Sequence, residues 1–168
     1  MTLLDAPKFD EAQDRRKRII VWSSVSTFTA LVIVFWIVSG FPVDWPWNWW
    51  THMRGRAVVN QFLGDVEKNN LDEAYSVWEH DPQWRQHQAA LKDSGYTFER
   101  FQEDWSSTSN QNEYGAIKSH DIAAARMAGN VLVLGVFING HRSKPLFLAF
   151  DPKTRTLSFS PVELYLGP

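Results

Sequence analysis

The chain has 168 residues, a formal net charge of −2 and no cysteine. The lack of cysteine excludes disulfides, thiol nucleophiles and cysteine-based metal sites, and the lack of a basic excess gives no support for nucleic-acid binding. Once one membrane span is set aside, roughly 115 residues remain, which suffices for one small domain with a single core.

An uncharged, apolar run lies near the N-terminus, over residues 19–39. At about 1.5 Å per residue, a helix of this length crosses the hydrocarbon layer of a bilayer. The run is longer than the apolar region of a cleaved signal peptide, and Val38-Ser39-Gly40 matches a small-x-small cleavage site poorly. We therefore predict a transmembrane helix over 19–39 that is retained as a signal anchor. A cleaved signal peptide is the alternative.

The residues on either side of this run predict its orientation. Four basic residues precede it directly: Arg15, Arg16, Lys17 and Arg18. The positive-inside bias makes residues 1–18 a cytoplasmic tail, so the protein is expected in the cell membrane, single-pass, with the rest of the chain extracytoplasmic. Residues 40–52 form a Trp/Pro-rich linker. Its indole rings suit the headgroup layer of the lipid bilayer, and the expected interfacial residues are Trp45, Trp47, Trp49 and Trp50.

The remaining residues, 53–168, are predicted to form one α+β domain that begins with helices. Val58, Val59, Phe62, Leu63 and Val66 form one stripe of a first helix that ends at Asn69-Asn70. The later helices are predicted from their capping signals, with Asn70 and Glu73 starting the second, Asp81-Pro82 starting a third that runs to about Lys92, and Thr97 capping a short fourth.

Strand patterns follow the polar residues 106–112. A first strand is predicted over about 115–126, a buried central strand over Val131–Ile138, and further strands over Lys144–Phe150 and around Leu157. Asn139-Gly140 predicts a tight hairpin, and a second turn follows at 151–154. The last residues, 160–168, are apolar and are expected to dock back on the domain, with donation of a strand to another chain as the alternative.

This order of elements, together with the sequences VVNQFLGDVEKNN and LDEAYSVW over 58–70 and 71–78, resembles the NTF2-like (cystatin-like) superfamily over residues ~51–166. The resemblance implies three or four helices packed on a curved four-stranded antiparallel sheet, whose concave face they close into a cone. The superfamily includes isomerase-like and dehydratase-like enzymes, ligand binders and membrane-anchored assembly subunits. The assembly subunits share the layout of tail, span and external domain, although the Asn-Pro-x-Gly signature of one such group is missing.

Enzymes of that superfamily place an acid or base and a tyrosine hydroxyl inside the cone. The candidates here are His120 or Asp121, of which only one can point inward because neighbouring strand residues face opposite ways, with Tyr75 or Tyr114 opposite. The competing interpretation is a solvated edge-strand pair. The five histidines lack metal-ligand spacing, and neither a phosphate loop nor a nucleophile elbow occurs, so no metal or cofactor is expected.

Aromatic residues in the helices supply the candidates for ligand or partner contact. Tyr75, Trp78 and Trp105 could line a pocket for an apolar ligand, although helical spacing favours a place in the core. Trp84 lies in a polar stretch and is predicted to be partly exposed beside Arg85, as a partner contact would require.

The leading hypothesis is a membrane-anchored, non-enzymatic NTF2-like module that contacts a partner protein or a small apolar ligand at the outer membrane surface. Its partner would be a membrane or periplasmic protein, or a second copy in a homodimer. Two alternatives stay open: a small isomerase- or dehydratase-like enzyme with a pocket in the cone, and a module that oligomerises through its sheet.

Overall fold

The structure is a computed structural model that describes residues 11–92 and 95–166. The chain divides into two compact units, one ending at Val38 and the other beginning at Ser39. The described residues are α+β, with five α-helices followed by a four-stranded antiparallel sheet.

The first unit is helix α1, Glu11–Val38. It is the single helix within the described residues that is long and apolar enough to cross a membrane, and none of its residues is buried. The helix also takes in residues 11–18, which were predicted as a tail, and residues 1–10 lie outside the description. The helix ends at Val38, one residue before the end of the predicted span, and the chain turns at Gly40, where φ is +82°.

The second unit opens with a 3₁₀ turn at Pro46–Asn48 and helix α2, Trp49–Glu67. The predicted linker 40–52 is therefore too long at its C-terminal end, because Pro46 occupies the first position of a helical turn that leads directly into α2. The buried residues of α2 follow the predicted stripe and extend it toward the N-terminus; they are His52, Gly55, Val59, Phe62, Leu63 and Val66.

Helix α3, Leu71–Trp78, folds back on α2 after a tight turn in which Asn69 has φ +57°. Asn70 is its N-cap residue as predicted, but the side chain makes no capping bond. The expected short helix after Thr97 is also present, as α5, Phe98–Trp105, and there the Thr97 hydroxyl accepts a hydrogen bond from Arg100 N at 3.4 Å.

The single helix predicted from Pro82 to Lys92 was wrong. Residues 82–86 form successive turns, and only Gln88–Lys92 is helical, as α4. The Asp81 carboxylate accepts a hydrogen bond from Gln83 N at 2.8 Å, and Trp84 N donates to Asp81 O at 3.2 Å. Short-range bonds of this kind compete with the α-helical pattern, so the N-cap signal here produces a turn.

The strands are β1, His120–Ala128; β2, Val131–Ile138; β3, His141–Phe150; and β4, Leu157–Phe159, paired in that order. The Asn139-Gly140 hairpin is confirmed, with positive φ at both residues. The predicted first strand starts too early, because the Asn139 side chain holds residues 116–119 as a loop: Oδ1 accepts from Lys118 N and Ser119 N, and Nδ2 donates to Ala116 O.

The sheet has a core face and an outer face. Leu132, Leu134 and Val136 of β2 face the helices and join the aromatic side chains of α2, α3 and α5 in one core. On the outer face Leu166 lies over Gly135, where an added Cβ would come within 2.7 Å of Leu166 Cδ2. The C-terminal segment therefore docks on its own domain, which was the favoured alternative.

Each edge of the sheet carries a feature that opposes pairing with another strand. At the β1 edge, Asp44 Oδ2 accepts hydrogen bonds from the buried His52 Nε2 at 2.7 Å and from Met127 N at 3.2 Å. At the other edge, β4 pairs only with Leu148–Phe150 of β3. Pro145, earlier in β3, has no N–H to offer, and covered or proline-bearing edges resist pairing with another chain.

Candidate binding groove

A groove of about 420 Å³ lies beyond the end of β4, where the edge of β3 that faces away from β2 has no partner strand. It is formed by α5, the loop before β1, the middle of β3 and the segment after β4. Its lining consists of Asp104, Trp105, Gln111, Glu113, Tyr114, Pro145, Leu146, Phe147, Phe159, Ser160, Pro161 and Glu163. The volume falls in the range that ligand-binding clefts occupy.

The floor of the groove is aromatic. The rings of Trp105 and Phe159 are stacked, with centroids 5.8 Å apart and an interplanar angle of 3°. Trp105 is buried and its Nε1 donates to the Tyr96 hydroxyl at 3.2 Å, whereas Phe159 remains 45% exposed. Phe159 therefore presents an exposed apolar ring that the Trp105 ring holds in place. A ligand that binds there loses little free energy to ordering of this side chain.

The rim of the groove is acidic. Asp104, Glu113 and Glu163 all line it, and no lysine or arginine does so among residues 11–92 and 95–166. The Tyr96 hydroxyl donates to Asp104 Oδ2 at 2.8 Å. Burial of the Tyr96 hydroxyl, and then its hydrogen bond to Asp104, raise the pKa of Tyr96, so this hydroxyl stays a donor to the carboxylate at neutral pH.

Lys144 stands beside this rim and contacts two of its residues. Its Nζ lies 2.6 Å from a Glu113 carboxylate oxygen and 5.2 Å from the centroid of the Tyr114 ring. The hydrogen bond from Lys144 lowers the pKa of Glu113. The Tyr114 hydroxyl donates to Pro145 O at 3.4 Å, and burial raises the pKa of Tyr114. An ammonium group is thus already held by a carboxylate and an aromatic face at this site.

The residues predicted for catalysis are not assembled around a pocket. His120 lies against α2, with Nδ1 2.6 Å from Glu67 Oε1 and Nε2 3.1 Å from Asn60 Oδ1. Asp121 is exposed, and neither residue lines the groove. The partners of His120 thus belong to α2, and no tyrosine is among them.

The two candidate tyrosines occupy different places. Tyr75 is buried, its hydroxyl donates to Tyr96 O at 2.9 Å, and burial raises its pKa to about 12. Tyr114 lines the groove. Neither has an acid–base partner of the predicted kind.

The predicted exposure of Trp84 was wrong, since only 5% of the residue is exposed. Its ring packs against Tyr75 and Phe98, with centroids 5.0 and 4.5 Å away, because the turns after Asp81 direct it inward. These three rings border a cavity of only about 50 Å³. Arg85 is exposed, pairs with Asp72 at 2.6 Å and lies over the Trp84 ring.

The remaining predicted contact residues divide between core and groove. Trp78 is buried among other aromatic rings, with Phe62 5.2 Å away by centroid, so helical spacing indicated its role correctly. Trp105 belongs to the core and also lines the groove.

The tryptophans after α1 form an exposed ledge, defined here as Trp45, Trp47 and Trp50. They are 68%, 74% and 50% exposed, and the rings of Trp45 and Trp47 stack at 5.2 Å. Trp49, predicted with them, is half-buried instead and its Nε1 donates to Asp44 O at 3.0 Å. Arg54 lies over the Trp50 ring.

Sequence reasoning did not identify most of the groove. Its acidic residues lie on α5, on a loop and after β4, and no local pattern joins such distant segments. The last strand was predicted only around Leu157, and the exposure of Phe159 at its end was not predicted. No group of three or more histidine, cysteine, aspartate or glutamate residues suited to a metal ion occurs within the described ranges.

No family model, no curated protein and no solved structure matches this chain.

Proposed function

We propose that this protein is a membrane-anchored binding or assembly module that holds a partner protein in the groove beside β4. The observation that carries the proposal is the groove itself, with its stacked aromatic floor and acidic rim. Such a surface suits recognition, because aromatic anchors in a concave site dominate binding energies.

Membrane anchoring is supported by α1. A helix of 28 residues at about 1.5 Å per residue is long enough to cross a bilayer. Its exposed apolar side chains occur on all sides, which is unfavourable in water and favourable in lipid. The basic residues 15–18 at its N-terminal end favour a cytoplasmic N-terminus and an extracytoplasmic domain.

The ledge supports a position close to the headgroups. It follows α1 in the chain by a few residues, and exposed indole rings favour the boundary between hydrocarbon and water. We place Trp45, Trp47 and Trp50 in that layer. The half-buried Trp49 contributes to the domain instead, through its hydrogen bond to Asp44.

Membership of the NTF2-like (cystatin-like) superfamily is part of the proposal. Its support is the element order, with helices preceding an antiparallel meander β1-β2-β3-β4 and packing on one of its faces. In that superfamily membrane-anchored assembly subunits share this layout, which agrees with a binding role.

The two alternatives receive less support. Catalysis by His120 needs a free ring nitrogen near a pocket, yet both nitrogens face oxygen atoms of α2. Oligomerisation through the sheet needs an open edge, yet Asp44 covers Met127 N on β1, and Pro145 in β3 has no N–H to offer.

A crosslinking experiment tests the binding role. A photoreactive phenylalanine analogue replaces Phe159 in the full-length protein in native membranes, and the matched variant carries it at Arg85, which is exposed but outside the groove. We expect an adduct with one defined protein from position 159 and none from position 85. Adducts from position 85 alone, or from neither position, would contradict the proposal.

The topology has its own test. Protease added to the outer side of intact membranes should remove a C-terminal tag and leave an N-terminal tag protected. A protected C-terminal tag would contradict the extracytoplasmic placement. A mature protein starting near residue 41 would show that α1 is a cleaved signal instead.

A further inference from the structure

We propose that the groove beside β4 recognises a cationic segment of its partner, placing a lysine or arginine side chain over the Phe159 ring between the rim carboxylates. The inference rests on the proposed binding function and names the chemistry of the partner.

The lining of the groove carries negative charge. Three carboxylates line the groove, and within residues 11–92 and 95–166 no cationic side chain lines it. Lys144 neutralises part of this charge through Glu113. Asp104 and Glu163 remain on the rim without a lysine or arginine paired to them in the described part of the chain. A cationic ligand complements this surface, whereas an anionic one is repelled.

The aromatic floor of the groove also favours a cation. Phe159 is exposed over 45% of its surface and rests on the buried Trp105 ring. A cation above an aromatic face is attracted by the negative face of the ring, and the methylene groups of lysine or arginine bury apolar area at the same time. Arginine and lysine therefore satisfy both floor and rim.

The chain already contains one cation held between a carboxylate and an aromatic ring. The Lys144 ammonium group lies between the Glu113 carboxylate, at 2.6 Å, and the Tyr114 ring, at 5.2 Å from its centroid. This combination of a carboxylate and a ring is the arrangement that we infer for the ligand at Phe159.

The backbone of β3 at the groove offers few free hydrogen-bonding groups. A partner strand added to β3 would need free backbone groups at this edge, but Pro145 has no N–H and its carbonyl oxygen accepts from Tyr114. Farther along, Phe147 O accepts from Ser160 N at 3.0 Å. Because these groups are not available to an added strand, we assign recognition to the acidic and aromatic side chains of the groove.

A titration with a synthetic peptide tests the inference. The full chain is placed in nanodiscs of zwitterionic phosphocholine lipid, and a blocked octapeptide of alternating glycine and arginine is added, with empty nanodiscs as the blank. The comparison peptide carries citrulline, which keeps the shape of arginine without its charge. We expect the citrulline peptide to bind about tenfold more weakly, and the arginine peptide to weaken as salt rises.

Substitutions locate the site. Glu163→Gln and Asp104→Asn should each weaken binding of the arginine peptide about fivefold, and Phe159→Ala should weaken it by at least as much. Glu103→Gln is the matched control, because Glu103 is exposed on the same helix as Asp104 but does not line the groove. Glu163 is itself exposed, so its variant keeps the fold even if Asp104→Asn does not.

The outcomes separate this inference from the binding role. Equal affinity for the two peptides, equal effects of the Glu103 and Glu163 variants, or no saturable binding at roughly millimolar peptide would overturn the cationic ligand. If crosslinking at position 159 still captured a defined partner, the binding role would stand and only the ligand chemistry would be wrong.

Discussion

The carboxylate of Glu67, at the end of α2, lies 2.6 Å from Nδ1 of His120, the first residue of β1. The pair connects a helix to an edge strand across 53 positions of sequence, and both side chains are largely shielded from solvent. His120 therefore has a structural explanation, although its residue type had suggested a catalytic one.

Replacing His120 with glutamine should destabilise the domain by about 1–2 kcal/mol, because the Glu67 carboxylate loses its partner. Thermal or denaturant unfolding measures the change. In a double-mutant cycle with Glu67→Gln, the two losses should be less than additive. Strictly additive losses would show that the contact contributes nothing.

The fold was predictable where a signal acts locally. The hairpin at Asn139-Gly140 needs two positive φ values, which these residues adopt readily, and β2 is recognisable from its continuous apolar run. The helix predicted over residues 82–87 is absent for a reason that is also local. An N-cap residue and a turn residue use the same carboxylate bonds, and sequence does not say which pattern continues.

The groove could not be predicted because it depends on distant contacts. Phe159 forms the floor of the groove because β4 ends at this residue. Asp104, Glu113 and Glu163 come to line one groove only in the folded chain. Trp84 shows the converse: a polar neighbourhood in sequence predicted exposure, whereas packing against Tyr75 and Phe98 buries it.

Two glycines of α2 should respond to alanine in opposite directions. An added Cβ at Gly55 would lie 2.5 Å from Leu132 Cδ2 and 3.2 Å from Phe150, so Gly55→Ala should destabilise the domain by about 1–3 kcal/mol. Nothing lies within 4 Å of a Cβ at Gly64, and Gly64→Ala should stabilise by about 0.5–1 kcal/mol through helix propensity.

Unfolding midpoints of these two variants, measured in the same detergent, decide the point. Because both substitutions add one methyl group to one helix, they differ only in what the methyl group meets. Similar shifts for both variants would mean that α2 does not approach β2 and β3 as closely as the structure places it.

The ledge should be accessible to lipid. In liposomes that contain lipids brominated near the headgroup end of the acyl chains, tryptophan emission should be partly quenched, because indole rings favour that depth. The double variant Trp45→Phe, Trp47→Phe should lose part of the quenchable emission, because Trp50 of the ledge and Trp22 and Trp36 of α1 are also exposed. The control is Trp84→Phe, whose ring is buried in the domain, and an equal loss there would refute the placement of the ledge.

Glu79 gives a prediction about pH. It is the C-cap residue of α3, where the negative end of the helix dipole also disfavours a carboxylate. Burial, and then the charge of Asp81, raise the pKa of Glu79 above its ordinary value of 4.5. The folded protein therefore binds this proton more tightly than the unfolded chain does. Ionisation weakens the fold as pH rises from about 4.5 through the folded pKa.

Glu79→Gln should accordingly raise the Tm at pH 7, well above the ordinary pKa of 4.5, and give little gain at pH 4, below that value. Asp81→Asn should lower the Tm at pH 7, and it should still lower the Tm at pH 4, which lies above the ordinary pKa of 3.8 for this carboxyl. The hydrogen bond from His87 lowers the pKa of Asp81, so its stabilising effect is present above the ordinary value of 3.8 and is lost as pH falls through the folded pKa. Melting curves at both pH values test the pair together, since a carboxylate that strains the fold and one that supports it must give Tm differences of opposite sign at pH 7.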